Sequence, residues 1–250
     1  MHVFDLLSLK GKVALITGGH GLYGSQLTEA LAEAGATVIT ASRSLEKNET
    51  FAKKQFYVGN LLGKKAVLCV SDIGKVNSSL GATLFILKYG ATVILNFGVV
   101  GAIDPSLKIG DVVVGTSAMQ YDFDLSLPNG IDRGQLSNFG DKHIPLTQKY
   151  VDEFAKLGFK TGRLATTDAF KFNYDNWCYC RECDLLVEDM EIGAIAQVCS
   201  LMGVDVVSIK SVSNMVDENG ANEFNEMEIN AIDCYAKIIP QVIEVIYGKN

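Results

Sequence analysis

Apolar residues recur along the chain at two spacings. Short runs rich in Val, Ile, Leu and Thr predict strands at 13–17, 36–42, 66–70, 92–100, 111–119, 162–170 and 204–213. Between them, spacings of three and four predict helices over 24–35, 75–90, 147–158, 191–203 and 225–248. Pro240 falls inside the last of these and is expected to kink or interrupt it. Alternating strands and helices indicate an α/β protein built on a largely parallel sheet, and seven strands suffice for one large sheet. The pattern breaks once, at the charged stretch 42–55, which reads either as a seam or as a solvated helix or loop inside one domain.

Length narrows this to one α/β domain, with two small ones as the alternative, because 250 residues of 48% hydrophobic composition bury a sizeable core. Against 22 basic residues stand 29 acidic ones, a net charge of -7 without a long basic run. No nucleic acid and no membrane surface is therefore expected as partner, and a small neutral or cationic ligand fits better. The first twelve residues lack the features of a secretory signal, so a cytoplasmic protein is expected. The longest apolar stretch, 93–103, is too short to span a bilayer and contains Asn96, so it reads as a buried strand. In that setting the six cysteines read as reduced thiols. Cys178, Cys180 and Cys183 offer a metal three thiolates, but no fourth ligand is evident and His2, His20 and His143 lie far off in sequence. No metal is expected.

The segment 13–42 joins strand, glycine loop, helix and strand, and Gly19-x-Gly21-x-x-Gly24 has the spacing of a dinucleotide-binding turn. Ser42-Arg43 after the second strand would favour a 2′-phosphate, hence NADP. Residues 3–45 resemble the start of a short-chain dehydrogenase/reductase. That family pairs a tyrosine acid with a lysine four positions on, and no tyrosine here is followed by lysine at that spacing. Reductase chemistry is therefore not supported, and no cofactor is expected.

The remainder carries a different set of segments, in order: SDIGKVNSSLGATLFI (71–86), LNFGVVGAIDPSLKIGDVVVG (95–115), YDFD (121–124), RGQL (133–136), TTDAF (166–170), VEDMEIGAIAQVC (187–199) and KSVSNMVD (210–217). On these, residues 57–246 resemble the purine nucleoside phosphorylase and nucleosidase superfamily, most closely its 5′-methylthioadenosine/S-adenosylhomocysteine nucleosidase branch. The resemblance implies a three-layer α/β sandwich with a mixed central sheet and an N-terminal Rossmann-like β-α-β unit. One domain over 1–250 would comprise a reductase-like segment (1–45) and a nucleosidase-like segment (56–250). It implies cleavage of a purine nucleoside's N-glycosidic bond through an oxocarbenium-like state, with ligand near the C-terminal ends of the strands. A homodimer is implied too, with residues 121–124 near the contact.

Residue by residue, the resemblance assigns the ribose hydroxyls to Glu191 and the flank of the sugar to Met190. Phe170 would stack on the base, and the backbone of Lys171 would read its edge. Val99 and Gly101 line the segment where nucleosidases carry a water-binding serine, and Lys210 stands where an arginine is usual. Ser213-Asn214 takes the place of Ser-Asp, and an amide donates a hydrogen bond but gives up no proton. Asp217 is the nearby candidate acid. Phosphorylases of the superfamily place a phosphate loop near the N-terminus, where Gly19, His20 and Gly21 offer phosphate a cradle of backbone amides. The leading expectation is a nucleosidase or phosphorylase. The alternatives are a nucleoside-binding protein of little catalytic power and an NADP-binding reductase remnant.

Overall fold

In the computed structural model, which describes residues 13–16, 37–40, 45–61 and 64–248, the first apolar run forms β1 (Val13–Ile16). It pairs in parallel with β2 (Thr37–Thr40), Val13 opposite Thr37. The helix expected at 24–35, the glycine fingerprint and the proposed phosphate cradle at Gly19, His20 and Gly21 all lie outside the described residues.

Where the charged stretch 42–55 is described, from residue 45, it is strand and not helix. It forms β3 (Leu45–Phe51), which turns through Ala52 and Lys53 into β4 (Lys54–Leu61). Both turn residues have positive φ, 49° and 61°, the conformation a two-residue hairpin needs to match strand twist. Neither is the glycine or asparagine that usually advertises such a turn, which is why the sequence pattern conceals it. β4 pairs on its other side with β5 (Lys64–Cys69), giving a three-stranded antiparallel sheet with Phe56 and Tyr57 buried. These strands belong to a compact unit of residues 1–70 and 232–250.

Residues 71–231 form the second compact unit. Its helices are α1 (Lys75–Tyr89), the single turn α2 (Ser126–Asn129), α3 (Gln148–Lys156), α4 (Tyr174–Glu182) and α5 (Ile192–Met202). Its strands are β6 (Val93–Ala102), β7 (Val112–Gln120), the short β8 (Ile144–Pro145), β9 (Lys160–Thr166), β10 (Leu185–Asp189) and β11 (Asp205–Met215). They form one mixed sheet in the order β11-β6-β10-β9-β7-β8. A further antiparallel pairing of β7 with β11, Val114 opposite Ile209, closes five strands on themselves.

The expected α/β fold with a mixed central sheet is thus present, with a different division of strands. Seven strands do not share one sheet: of those expected, only β6, β7, β9 and β11 lie in the large one, where β8 and β10 join them. β9 ends at Thr166, so Asp168, Ala169 and Phe170 leave the sheet in a loop. The last helix, α6 (Gly220–Tyr247), begins five residues earlier than expected and runs through Pro240 uninterrupted. Pro240 is exposed, while Tyr235, Ile239, Val242 and Ile243 keep the apolar stripe buried. No helix among the described residues is long and apolar enough to cross a membrane.

The core of the second unit packs α5 against β7, β9 and β11, with Leu164, Val187, Ile192, Ala196 and Val212 buried together. Gly115 of β7 faces Gly162 of β9, and a Cβ at Gly115 would lie 2.5 Å from Leu164 Cδ1 and 2.7 Å from Leu146 Cδ1. Both leucines are themselves buried and have little room to retreat. Gly115→Ala is therefore expected to destabilise the protein by about 1–3 kcal/mol through overpacking. Urea unfolding monitored by far-UV circular dichroism checks this, and a wild-type midpoint would refute it.

Candidate active site

The site grows from the junction of β10 and α5, where Glu188, Asp189, Met190 and Glu191 run off the strand into the helix. The first turn of a helix has unpaired N–H groups that need an acceptor. Asp189 supplies it from inside the sheet: its carboxylate accepts the N–H of Glu191 at 3.1 Å and of Ile192 at 3.0 and 3.1 Å. Thr166 Oγ1 donates to Asp189 Oδ1 at 2.7 Å and accepts the N–H of Gly193 at 2.8 Å. Lys210 Nζ completes the set, 2.7 Å from Asp189 Oδ2, with both side chains 1% exposed. The ammonium fits because Gly98 lies opposite Lys210 across β6–β11; a Cβ at Gly98 would stand 3.3 Å from it.

Because Asp189 satisfies the helix, Glu191 does not cap it. Its carboxylate instead accepts N–H groups from Gly74 at 3.1 Å and from its neighbour Met190 at 3.3 Å. Burial raises the Glu191 pKa, Lys210 opposes that rise, and Asp189 adds to it. Lys210 thus neutralises Asp189 and also favours the ionised form of Glu191, whose carboxyl oxygens have lone pairs to spare.

A second group of side chains lies on the other side of β6. The register of β11 shifts between Val212 and Asn214, a bulge at Ser213, and brings Asn214 opposite Gly101. Ser213 Oγ lies 2.9 Å from Asn214 Oδ1, to which it donates, and Asn214 Nδ2 donates to the Met215 carbonyl at 2.9 Å. Glu188 is also opposite Gly101, on the β10 side, and accepts a hydrogen bond from Tyr121 Oη at 3.1 Å. Burial pushes the Glu188 carboxyl up to about 7, an effect that Tyr121 opposes and Asp189 reinforces. Tyr121 itself is pushed well above the usual phenol range by burial and by Glu188.

The loop after β9 is tied down by charge. Lys75 Nζ bonds both carboxylate oxygens of Asp122 at 2.7 and 2.8 Å, the Lys75 N–H donates to Asp168 at 2.9 Å, and the Asp168 N–H donates to Asp122 at 3.0 Å. Beyond this anchor Phe170 is 55% exposed, its ring 5.4 Å from that of Phe224 in the first turns of α6. Residue 223 of the same turns, a glutamate, accepts the N–H of Met215 at 2.8 Å, so the aromatic pair is linked to the strand end that carries Asn214.

The sequence-derived candidates therefore fall into place unevenly. Glu191, Met190 and Lys210 gather around the α5 N-terminus, and Asn214, Ser213 and Gly101 around the bulge. Val99 is partly buried on β6 opposite Ser211, and Lys171 is exposed next to Phe170. Asp217 is exposed and its carboxylate accepts the Asn219 N–H at 2.8 Å in a local turn. Tyr121, expected near a dimer contact, is buried within the subunit, while Asp122 is bound to Lys75. Cys180 and Cys183 are buried free thiols in an apolar cluster with Ile103, Met119 and Leu185. The sequence reading missed Asp189, Thr166, Glu188 and Tyr121 as site residues; three acids within 188–191 were the available signal.

Residues 16–244 match the family model of the phosphorylase superfamily. The chain is similar to the 5′-methylthioadenosine/S-adenosylhomocysteine nucleosidase of Halalkalibacterium halodurans, 32% identical over 194 residues that span 71% of this chain and 79% of that protein. With the nucleosidase of the same name from Baumannia cicadellinicola subsp. Homalodisca coagulata it shares 28% identity over 219 residues, 84% of this chain and 95% of the other. Among solved structures, a mutant MTAN from Helicobacter pylori with 5′-methylthioadenosine in its active site has the same fold, with a TM-score of 0.78 at 23% identity over 93% of this chain and 98% of that one.

The Asp189–Lys210 pair generates a prediction about stability. Lys210→Met leaves a buried carboxylate without its cation and is expected to cost about 3–5 kcal/mol. Adding Asp189→Asn removes the uncompensated charge and should recover much of the loss. Urea midpoints of the single and double variants check this, and equal stability of wild type and Lys210→Met would contradict it.

Proposed function

The chain belongs to the phosphorylase superfamily, and from that membership we propose that it hydrolyses the N-glycosidic bond of a purine nucleoside of the 5′-methylthioadenosine and S-adenosylhomocysteine type. The observation that carries this reading is the Glu191 carboxylate, freed from helix capping by Asp189. It is held by the N–H groups of Gly74 and Met190. An ionised carboxylate with unused lone pairs accepts two vicinal hydroxyls, and its charge faces the cationic sugar that forms as the bond breaks. Because the acceptor is preorganised, little reorganisation is needed at the moment of reaction.

The other residues follow from that placement. Met190 packs beside the sugar, and Phe170 presents an open ring face to the base next to the backbone of Lys171. Gly101 leaves space where strand β6 meets the base, and Val99 contributes an apolar wall. Ser213 orients the Asn214 amide so that its remaining N–H donates to the departing purine. Water is the nucleophile in this scheme and phosphate is not required. A homodimer completing the pocket across its interface is part of the same proposal.

Asn214 favours a second reading, a nucleoside-binding protein of little catalytic power, because an amide cannot hand over a proton. Chromatography of free base separates the two. Incubation with 5′-methylthioadenosine, S-adenosylhomocysteine, adenosine and inosine, with and without phosphate, is expected to release base from the thio-nucleosides independently of phosphate. Glu191→Gln is expected to lower kcat/KM by about a hundredfold or more, the scale of losing one preorganised electrostatic partner. Binding without base release from any nucleoside would establish the second reading instead.

A further inference from the structure

Glu188 is a half-buried acid near Asn214 that the scheme above leaves without work. Its position follows from the sheet: β6 is flanked at Gly101 by β10 on one side and β11 on the other, so Glu188 and Asn214 both sit in register with that glycine. A Cβ built on Gly101 would lie 3.2 Å from Asn214 Nδ2 and 3.7 Å from Glu188 Cγ. The two side chains therefore converge over Gly101 together with Val216, whose Cγ2 would lie 2.8 Å from that Cβ, a packing only glycine permits. Resting on the nucleosidase reading, we propose that Glu188 is the acid that protonates the departing purine, supplying the proton that Asn214 cannot.

The surroundings suit this role. Tyr121 Oη donates to Glu188 Oε2, which leaves Oε1 to carry the carboxyl proton. The groups acting on Glu188 are Tyr121 from the end of β7, Cys180 from α4 and Asp189 beside it on β10. Cys180 is a thiol pushed up to about 12 by burial, Tyr121 is a neutral phenol, and Asp189 is an anion already paired with Lys210. Arg133 lies over the Tyr121 ring, 5.6 Å from its centroid, and makes no ion pair with Glu188 among the described residues. Burial brings its pKa to about 7, where an acid both retains its proton and releases it readily.

The step balances. The Glu188 O–H bond breaks and its proton goes to a ring nitrogen of the base, while the bond from the anomeric carbon to the base breaks and its electron pair stays with the base. Water adds to the anomeric carbon, and the proton it loses returns to the Glu188 carboxylate through solvent. Nucleoside and water give free base and sugar.

The test compares wild type with Glu188→Gln, which preserves volume and an acceptor for Tyr121. On 5′-methylthioadenosine the variant is expected to lose about a hundredfold or more in kcat, the range for general acid catalysis, with KM little changed. On 4-nitrophenyl β-D-riboside, whose leaving group departs without protonation, wild type and variant are expected to differ by less than about threefold. Wild-type activity on the thio-nucleoside should fall with rising pH above about 7, because the protonated carboxyl is the active form, and the variant should lack that limb. The wild-type profile stands as a test even if the variant fails to fold. A flat wild-type profile, an equal loss on both substrates or no loss on either overturns the proposal. A wild type that releases base from no nucleoside removes the nucleosidase reading beneath it, an outcome distinguished by failure of the unsubstituted protein.

Discussion

The buried pair of Asp189 and Lys210 is the constraint on which the rest of the site depends. Two charges at 1% exposure lose most of their hydration, a penalty that their attraction offsets only when the remaining hydrogen-bonding capacity is also filled. Here it is filled: two backbone N–H groups of the α5 N-terminus and the Thr166 hydroxyl occupy the carboxylate. The helix dipole adds to this, since an anion at the N-terminus is favoured. One side chain thus caps α5, ties β9 to β10 and neutralises a lysine from β11. Its further effect is to release Glu191 from the capping role that its position would otherwise impose.

Strand geometry explains how two neighbouring acids receive opposite chemistry. Successive side chains on a strand point to opposite faces, so Glu188 and Asp189 enter different environments although adjacent in sequence. Asp189 shares its side with Lys210, the partner of Gly98 across β6, while Glu188 shares its side with Asn214, both in register with Gly101. Gly98 and Gly101 are an odd number of residues apart and face opposite ways. The bulge at Ser213 matters because regular pairing would set Ser213 opposite Gly101 and Asn214 opposite Ala102, turning Asn214 away from Glu188. One register shift therefore decides which carboxyl meets the amide.

Much of this architecture was legible in the sequence, for reasons that also explain the omissions. The long apolar runs that became β6, β7 and β11 have no competing interpretation, and α1, α3 and α5 carry clear helical periodicity. β10 was not legible as a strand because its five residues, Leu185 to Asp189, include two acids whose burial depends on partners distant in sequence. The β3–β4 hairpin was hidden by charged strands and an Ala-Lys turn, and α4 by a stretch dense in aromatics and cysteines. Glu191, Phe170 and Asn214 were nominated through resemblance to a known pattern. Glu188 was missed because its significance lies in the cross-strand register with Gly101 and Asn214, which no local spacing encodes.

The electrostatic sum over the site ties these features to the chemistry. Asp189 and Lys210 cancel, the Glu188 carboxyl is poised near neutrality, and at Glu191 the charge of Lys210 opposes the upward push of burial. In the proposed scheme, a transition state that places a positive charge on the sugar would meet the Glu191 carboxylate at the sugar's hydroxyls. In a buried setting such an interaction is far stronger than in water, because the surrounding dielectric screens it less. A second ionised acid beside the base would oppose departure of a leaving group that gains electron density, whereas a neutral carboxyl and an amide favour it. The proposed division of labour between Glu191 and Glu188 therefore requires one acid to be ionised and the other protonated. The pleat of β10 turns Glu188 to the face away from Lys210, while Glu191, beyond the end of the strand, feels the lysine's charge.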